Sequence, residues 1–341
     1  MIEIDGSTLE GGGQIVRTAT ALSVITKKDC RIFNIRQSRK KPGLSYQHLL
    51  GLQASSRFCD GRLEGDFLGS QEIKFYPGSA RNNKILINIP TAGSITLALQ
   101  SLLLAVVFSL KKEGRAVDII FDGGATDTFF SPTFDFFQYV FLEILEQIGV
   151  KTKINILQRG YYPEGGAKVE VAVSPSQIKG FNLTKRGKLR KILLYSGASK
   201  ILKDKKVAER QLAGAREILG KLKLPIEEKF AYYQTKCPGS HICLAVLFEN
   251  TVMGVDSLGK LGKRAEDVGK EAALNLLDEE RTKACLDKYS ADQILPYLSL
   301  ASAKSEISVS KITNHAKTNM WVIEKFLSGK FRTNQNLISW H

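Results

Sequence analysis

Apolar positions along this chain switch repeatedly between a period of two and a period near 3.6, and glycine or proline marks most of the switches. Ile2-Glu3-Ile4-Asp5 alternates as a strand does, Gly11 to Gly13 form a turn, and Gln14 to Thr26 carry apolar residues at helical spacing. Arg31 to Ile35 reads as a strand, Ser45 to Phe58 as a helix, Val117 to Phe121 as a strand, and Phe134 to Ile148 as a helix after Pro132. Further glycine turns are expected at Asp122-Gly123-Gly124 and Gly165-Gly166. These βα units suggest a duplicated α+β fold, although no sequence period is sharp enough to prove it.

Ile85 to Leu110 holds no charged residue over 26 positions, a length that could span a bilayer. Pro90, Thr91, Gly93 and Ser94 divide it into a strand-like run, Ile85 to Ile89, and a helix from about Ile95 whose Thr96, Gln100 and Ser101 form a polar side. A buried strand and a core helix are therefore expected, and no membrane association.

Around Phe181 the composition changes. Lys185 to Lys206 contains nine Lys or Arg against one acid, Asp204, before a helix expected from about Asp204 to Lys221 and strands near Ile242–Phe248 and Thr251–Asp256. Residues 181–279 read as a compact second module. Such a run is most often a solvated face; its other reading is contact with nucleic acid. The whole chain, 43% hydrophobic and 24% charged, has a net charge of +15, which points to a polyanionic partner or an anionic surface. Five cysteines without a C-x-x-C pair, and an acidic, glycine-rich start, fit a reduced, cytoplasmic protein better than an exported one.

Common nucleotide loops fail. Gly254 to Leu261 approaches a Walker A loop but has Leu261 where Ser or Thr would hold Mg²⁺, and no K-x-D-G lysine is present for a covalent nucleotide. Histidine is scarce: His241 follows Pro238-Gly239-Ser240 and is expected in a turn, His341 is terminal, and His315 begins an amphipathic helix. His315 is either an ordinary helix-start histidine or, if neutral, a nucleophile toward phosphorus. Glu10-Gly11-Gly12-Gly13-Gln14-Ile15-Val16-Arg17 sets a carboxylate and a guanidinium about a turn whose backbone can approach an anion. Ile35 to His48 adds a basic loop stopped by Pro42-Gly43, either solvated or a phosphate grip.

Seven ordered motifs, taken together, resemble the RNA 3′-terminal phosphate cyclase family over essentially the whole chain: E-G-G-G-Q-I-x-R at 10–17, I-R-x-x-R-x-x-P-G-L-x-x-Q-H at 35–48, F-D-G-G-A-T-D at 121–127, Y-P-E-G-G at 162–166, G-K-x-A-E-x-V-G-x-E-A-A at 262–273, D-Q at 292–293 and H-x-x-T-N-x-x-V-I at 315–323. Arg264 departs from the small residue or proline usual in the fifth motif, which is expected to dock the second module onto the first.

The resemblance implies an α+β fold. Its large domain, 1–180 and 280–341, would hold three related βα units akin to enolpyruvyl transferases, interrupted by a smaller α/β insert at 181–279. It implies ATP-dependent conversion of an RNA 3′-phosphate to a 2′,3′-cyclic phosphate through adenylylated His315. It assigns Gln100, Pro132, Tyr289, Ser290, Ala291, Asp292 and Gln293 to ATP. Arg17, Arg36, Arg39 and Gln47, with His48 a weaker neighbour, are expected at the RNA phosphate end because their guanidinium groups flank turns and helix starts and can converge on one anion, and Glu10 is the carboxylate expected near Mg²⁺ or Mn²⁺. A noncatalytic relative in ribosome biogenesis is the alternative, against which the intact histidine motif argues.

Overall fold

The computed structural model describes residues 1–110, 114, 116–220 and 224–341. Its first unit is β1 (Ile2–Asp5), α1 (Gln14–Thr26), β2 (Cys30–Phe33), α2 (Tyr46–Cys59), β3 (Arg62–Glu64) and β4 (Ile73–Tyr76). The strands lie in the order β1-β2-β4-β3, with β1 and β2 parallel and the other pairs antiparallel.

The same topology occurs twice more. β5 (Lys84–Ser94), α3 (Ile95–Leu110), β6 (Val117–Ala125), a helical stretch and β7 (Lys151–Gln158) and β8 (Lys168–Ser174) give the order β5-β6-β8-β7, again with one parallel pair first. The helical stretch is α4 (Phe134–Phe136), a π segment Phe137–Phe141 and α5 (Leu142–Gln147). In the third unit β9 (Asn182–Leu183) pairs in parallel with β14 (Ser305–Ser308), and β15 (Phe331–Asn334) and β16 (Leu337–Trp340) complete the order β9-β14-β16-β15. Its helices are α8 (Lys288–Leu300) and α9 (Asn314–Phe326).

Between β9 and α8 lies the insert. β10 (Leu189–Ser199), α6 (Val207–Leu219), β11 (Ile226–Tyr233), β12 (Ser240–Phe248), β13 (Val252–Leu258) and α7 (Ala265–Arg281) form a fourth sheet, β11-β10-β12-β13. It has its own core, including Leu194, Leu212, Leu244, Met253 and Leu276. The composition change at 181 slightly precedes the structural one, since Asn182 and Leu183 pair with the third sheet, and α7 continues past 279. Lys221, the expected end of the helix near Asp204, lies outside the described residues.

Several local readings shift for physical reasons. β5 runs through Pro90 and Gly93 to Ser94, because its irregular pairing with β6 between Ile89 and Ser94 absorbs the proline. Gly123 and Gly124 belong to β6 rather than to a turn; both have positive φ, and a Cβ on Gly123 would stand 2.2 Å from the Ile89 carbonyl oxygen. His241 lies in β12 and is fully buried, not in a turn. Arg264 to Ala273 pack α7 on α6 within the insert: Arg210 grips Glu266 with two hydrogen bonds of 2.8 and 2.9 Å, and Gly269 lies against the Gln211 carbonyl. The fifth motif therefore does not join the insert to the large unit. Among the described residues no helix is long and apolar enough to cross a membrane; α3 is a core helix, with Leu99, Leu102, Leu103 and Ala105 fully buried.

Candidate functional site

Helices of all three units converge on one cleft. Gln14, Arg17 and Thr18 line it from α1, Gln100 and Ser101 from α3, Asp292, Gln293 and Pro296 from α8, and His315 and Asn319 from α9. Thr313 caps α9 by accepting from the Ala316 N–H at 3.0 Å, which fixes the first turn and sets His315 at its mouth. His315 Nδ1 bonds the Asp292 carboxylate. A carboxylate can only accept, so the proton sits on Nδ1 and the lone pair on Nε2. The imidazole is 35% exposed and Asp292 only 11%, so the ring edge is reachable while its anchor is enclosed.

The anchor is itself held. Asn319 donates from Nδ2 to the Asp292 carbonyl at 3.1 Å and accepts the Thr18 hydroxyl at 2.8 Å. Gln14 reaches the His315 carbonyl at 3.4 Å, and Gln100 donates to Gln293 at 2.7 Å. Burial draws the Arg17 guanidinium down to about 10, opposed by Asp292, so it remains a cation at neutral pH. Gln14, Thr18, Thr318 and Asn319 received no role from sequence; Gln14, Thr318 and Asn319 all sit inside the quoted motifs, and that was their only signal.

Beside the cleft the glycine loop docks on α9. The Glu10 N–H donates to Thr318 Oγ1 at 3.3 Å, and Arg39 pairs with Glu10 Oε1 at 3.2 Å. Gly13 starts α1 without a side-chain cap, which leaves first-turn N–H groups facing the loop. Arg36, at φ 54°, donates to the Gly43 carbonyl at 2.7 Å and so closes the basic loop. Gln47 is half-buried on the first turn of α2.

His48 is buried, its Nδ1 accepts from the Ser45 N–H at 3.2 Å as part of a capping box, and a Cβ on Gly13 would lie 1.9 Å from its Nε2. Burial, with Arg17 and Arg36 nearby, pushes it down to about 3. A neutral, enclosed ring backs the glycine loop and lends it no positive charge. Because its pKa falls on folding, the unfolded chain binds the extra proton between about 3 and 6.5, so the contribution is complete above pH 6.5 and lost as pH falls. The expected outcome is that the thermal midpoint of the native chain declines more steeply from pH 6.5 to 4 than that of His48→Gln, measured by circular dichroism.

Tyr289 stands 48% exposed at the start of α8, with the Lys288 ammonium 5.0 Å from its ring centre. Pro132 is tied to α3, its carbonyl accepting from Thr96 at 2.9 Å. Ser290 and Ala291 are both fully buried, and the Ser290 hydroxyl donates to Asp287, the N-cap of α8. Their side chains pack within the helix and toward the core, which leaves their backbone as the part that could meet a ligand. Glu10 is the carboxylate nearest the glycine loop, but its Oε1 is engaged by Arg39, and among the described residues no group of three or more His, Cys, Asp or Glu can hold a metal ion. Glu10 alone could offer one carboxylate to a cation there.

A second polar cluster escaped sequence reading altogether. Arg159, at the end of β7, donates to Asp127 at 3.3 Å and Asp135 at 2.5 Å, and His241 from β12 of the insert bonds Asp135 and Tyr161, the latter at 3.0 Å. Asp127 and Asp135 have no exposed side-chain surface. Asp256 of the insert accepts the Thr133 N–H at 2.5 Å, one residue from Pro132.

Comparison with known proteins agrees with these motifs. The family model described as RNA 3′-terminal phosphate cyclase matches residues 8–333. An RNA 3′-terminal phosphate cyclase of Saccharolobus islandicus is 44% identical over 332 residues, covering 97% of this chain and 95% of that one. One of Pyrococcus abyssi is 42% identical with 97% and 94% coverage, and one of Ignicoccus hospitalis 41% identical with 96% and 93%. The enolpyruvyl transferase NikO from Streptomyces tendae gives a TM-score of only 0.30 at 10% identity, covering 100% of this chain and 65% of that one, a likeness too slight to carry an argument. With a family model spanning the motifs and relatives above 40% identity along nearly their full length, the chain belongs to the RNA 3′-terminal phosphate cyclase family.

Proposed function

We propose that this protein uses ATP to close an RNA 3′-phosphate onto the neighbouring 2′-hydroxyl, with AMP carried first on His315 and then on the RNA. The observation that carries the reading is the His315–Asp292 pair at the mouth of a cleft lined by Arg17 and Gln14. Asp292 holds the ring with Nε2 as the free nucleophile. Nε2 forms a bond to the α-phosphorus of ATP while the bond to the bridging oxygen breaks and pyrophosphate leaves. An oxygen of the RNA 3′-phosphate then takes the AMP, breaking the phosphorus–nitrogen bond. Finally the 2′-oxygen attacks the activated 3′-phosphorus, its proton is lost, and AMP departs.

The logic is activation followed by proximity. A phosphate monoester is a poor electrophile with a poor leaving group, and AMP supplies a good one. The adjacent hydroxyl then attacks within the same molecule, where orientation is worth roughly 7–11 kcal/mol in favourable systems. Tyr289 and Pro132 would flank the adenine, with Gln100, Asp292 and Gln293 presenting polar atoms. Arg17, Arg36, Arg39 and Gln47 would receive the RNA end beside the N-terminus of α1. A divalent cation, when bound with ATP, would neutralise phosphate charge, with Glu10 its protein contact. The insert at roughly 184–284 is proposed as a separate structural domain.

The test supplies purified protein with ATP labelled at the α-phosphate. The expected result is an acid-labile, hydroxylamine-resistant protein label that is discharged by RNA ending in 3′-phosphate, but not in 3′-hydroxyl, with cyclic phosphate and AMP as products. Label that never forms, or forms and is not discharged by any RNA end, overturns the reading. In single-turnover transfer from preformed adenylate, Arg39→Ala should slow the 3′-phosphate reaction about tenfold or more while self-adenylylation changes little, as expected for loss of one charge-assisted phosphate contact. Equal slowing of both steps would place Arg39 at the nucleotide.

A further inference from the structure

An unexplained surface adjoins the proposed adenine contacts. Phe130 is fully exposed and sits at φ 63°, a region that bulky aromatics rarely occupy. Its turn is pinned on both sides: Ser131 Oγ donates to the Thr128 carbonyl at 2.9 Å, Phe134 N–H to Asp127 at 3.2 Å, and Thr133 N–H to Asp256. Neither packing nor backbone preference accounts for an aromatic there, so the fold holds an apolar ring in water at a definite place.

The ring has company. Phe129, 37% exposed, meets Tyr162, 56% exposed, edge to face at 5.8 Å, and the Lys260 ammonium lies 5.8 Å from the Phe129 ring centre. From Tyr162 the surface continues to the insert. Cys237 Sγ bonds the Tyr161 carbonyl at 3.3 Å, and the exposed Lys236 lays its stem over Gly166, where a Cβ would come within 2.5 Å of it. Lys200, Lys203, Lys205 and Lys206 follow, all exposed, with Asp204 and Glu164 the exposed acids alongside. In the other direction, Pro132 is bonded to Thr96, and Gly93, three residues before it, lies 4.0 Å by its would-be Cβ from Gln47. Side chains from both the large unit and the insert thus form one strip that begins beside the proposed RNA-end contacts.

We propose that this strip binds single-stranded RNA immediately 5′ of the terminal nucleotide, with Phe129, Phe130 and Tyr162 as stacking surfaces and Lys236 and Lys260 as phosphate contacts. Exposed aromatics interleaved with lysines suit unpaired bases, which offer a π-face and a charge at every step, whereas a duplex hides its base faces. The proposal rests on the RNA reading of the active site, but it can fail or stand separately from cyclisation.

Anisotropy of a labelled 12-nucleotide single strand ending in 3′-phosphate measures it, with a dinucleotide 3′-phosphate and a 12-base-pair duplex as competitors. Phe130→Gly removes the ring and relieves the positive φ, so its thermal midpoint should not fall. It is expected to weaken binding of the 12-mer about tenfold, on the scale of one lost base stack, and leave dinucleotide binding and self-adenylylation unchanged. Lys236→Ala with Lys260→Ala should flatten the logarithmic salt dependence for the 12-mer by about 1.4, at roughly 0.7 per lost contact. Undiminished 12-mer affinity in Phe130→Gly, equal losses for 12-mer and dinucleotide, or equal competition by duplex would each overturn the strip. If the native chain binds the 12-mer through Phe130 yet forms no cyclic phosphate, the cyclisation reading falls and the strip stands.

Discussion

His315→Ala should abolish covalent labelling by ATP while leaving the thermal midpoint of the protein nearly unchanged. The imidazole is a third exposed and its side-chain hydrogen bond is to Asp292. Removing it would strip the proposed nucleophile but little packing. Asp292→Asn is the sharper companion. An Asn amide can donate to Nδ1 and thereby hold the proton on Nε2, which turns the proposed attacking nitrogen into a donor while keeping the ring in place. Labelling should then slow by up to about 10⁴-fold, the scale of a histidine held in the wrong tautomer, and Asp292→Glu should restore part of the rate. Full-rate labelling of His315→Ala would remove the histidine from the chemistry. Full-rate labelling of Asp292→Asn would leave His315 in place but deny Asp292 any control of its tautomer.

Residues of this cleft were legible where chemistry and local pattern coincide. Glu10 to Arg17 is a loop and one helical turn, and Asn314 to Asn319 is a helix start, so neighbours in sequence remain neighbours in space. Ser290 and Ala291 differ from their neighbours in helical phase. Asp287 caps α8, so Tyr289, Asp292, Gln293 and Pro296 share a side at spacings of three and four, and Ser290, Ala291 and Ile294 turn to the core. The period was available and would have separated them. The enclosure of His48 was hidden for another reason: a polar residue beside arginines in sequence carries no sign of its burial. The threefold unit was hidden because its sheets agree in pairing order rather than in residue identity, and because the insert parts β9 from α8.

The joint between insert and large unit could not be read from sequence at all, since Asp127, Asp135, Arg159 and His241 come from distant segments, and its disruption should be the largest stability effect in the protein. Arg159 is the cation that joins two fully buried carboxylates, stacked 4.7 Å over the ring of Tyr233 from the insert. Burial alone would raise the Asp135 carboxyl, but Arg159 and His241 outweigh it and hold it at about 2. Its folded pKa lies below the unfolded 3.8, so this stabilisation is complete above pH 3.8 and lost as pH falls towards 2. Arg159→Met keeps the stem and leaves both carboxylates without that cation. A loss of about 3–5 kcal/mol is expected, as for removal of one partner from a buried ion pair. Denaturant unfolding should show the insert melting ahead of the rest, because the break falls on its joint. Adding Asp135→Asn to Arg159→Met removes one of the stranded charges and should recover part of the loss, a coupling that simple loss of packing would not produce. If the double variant is as unstable as the sum of the two single changes, the cluster is ordinary core and the electrostatic account of the joint fails.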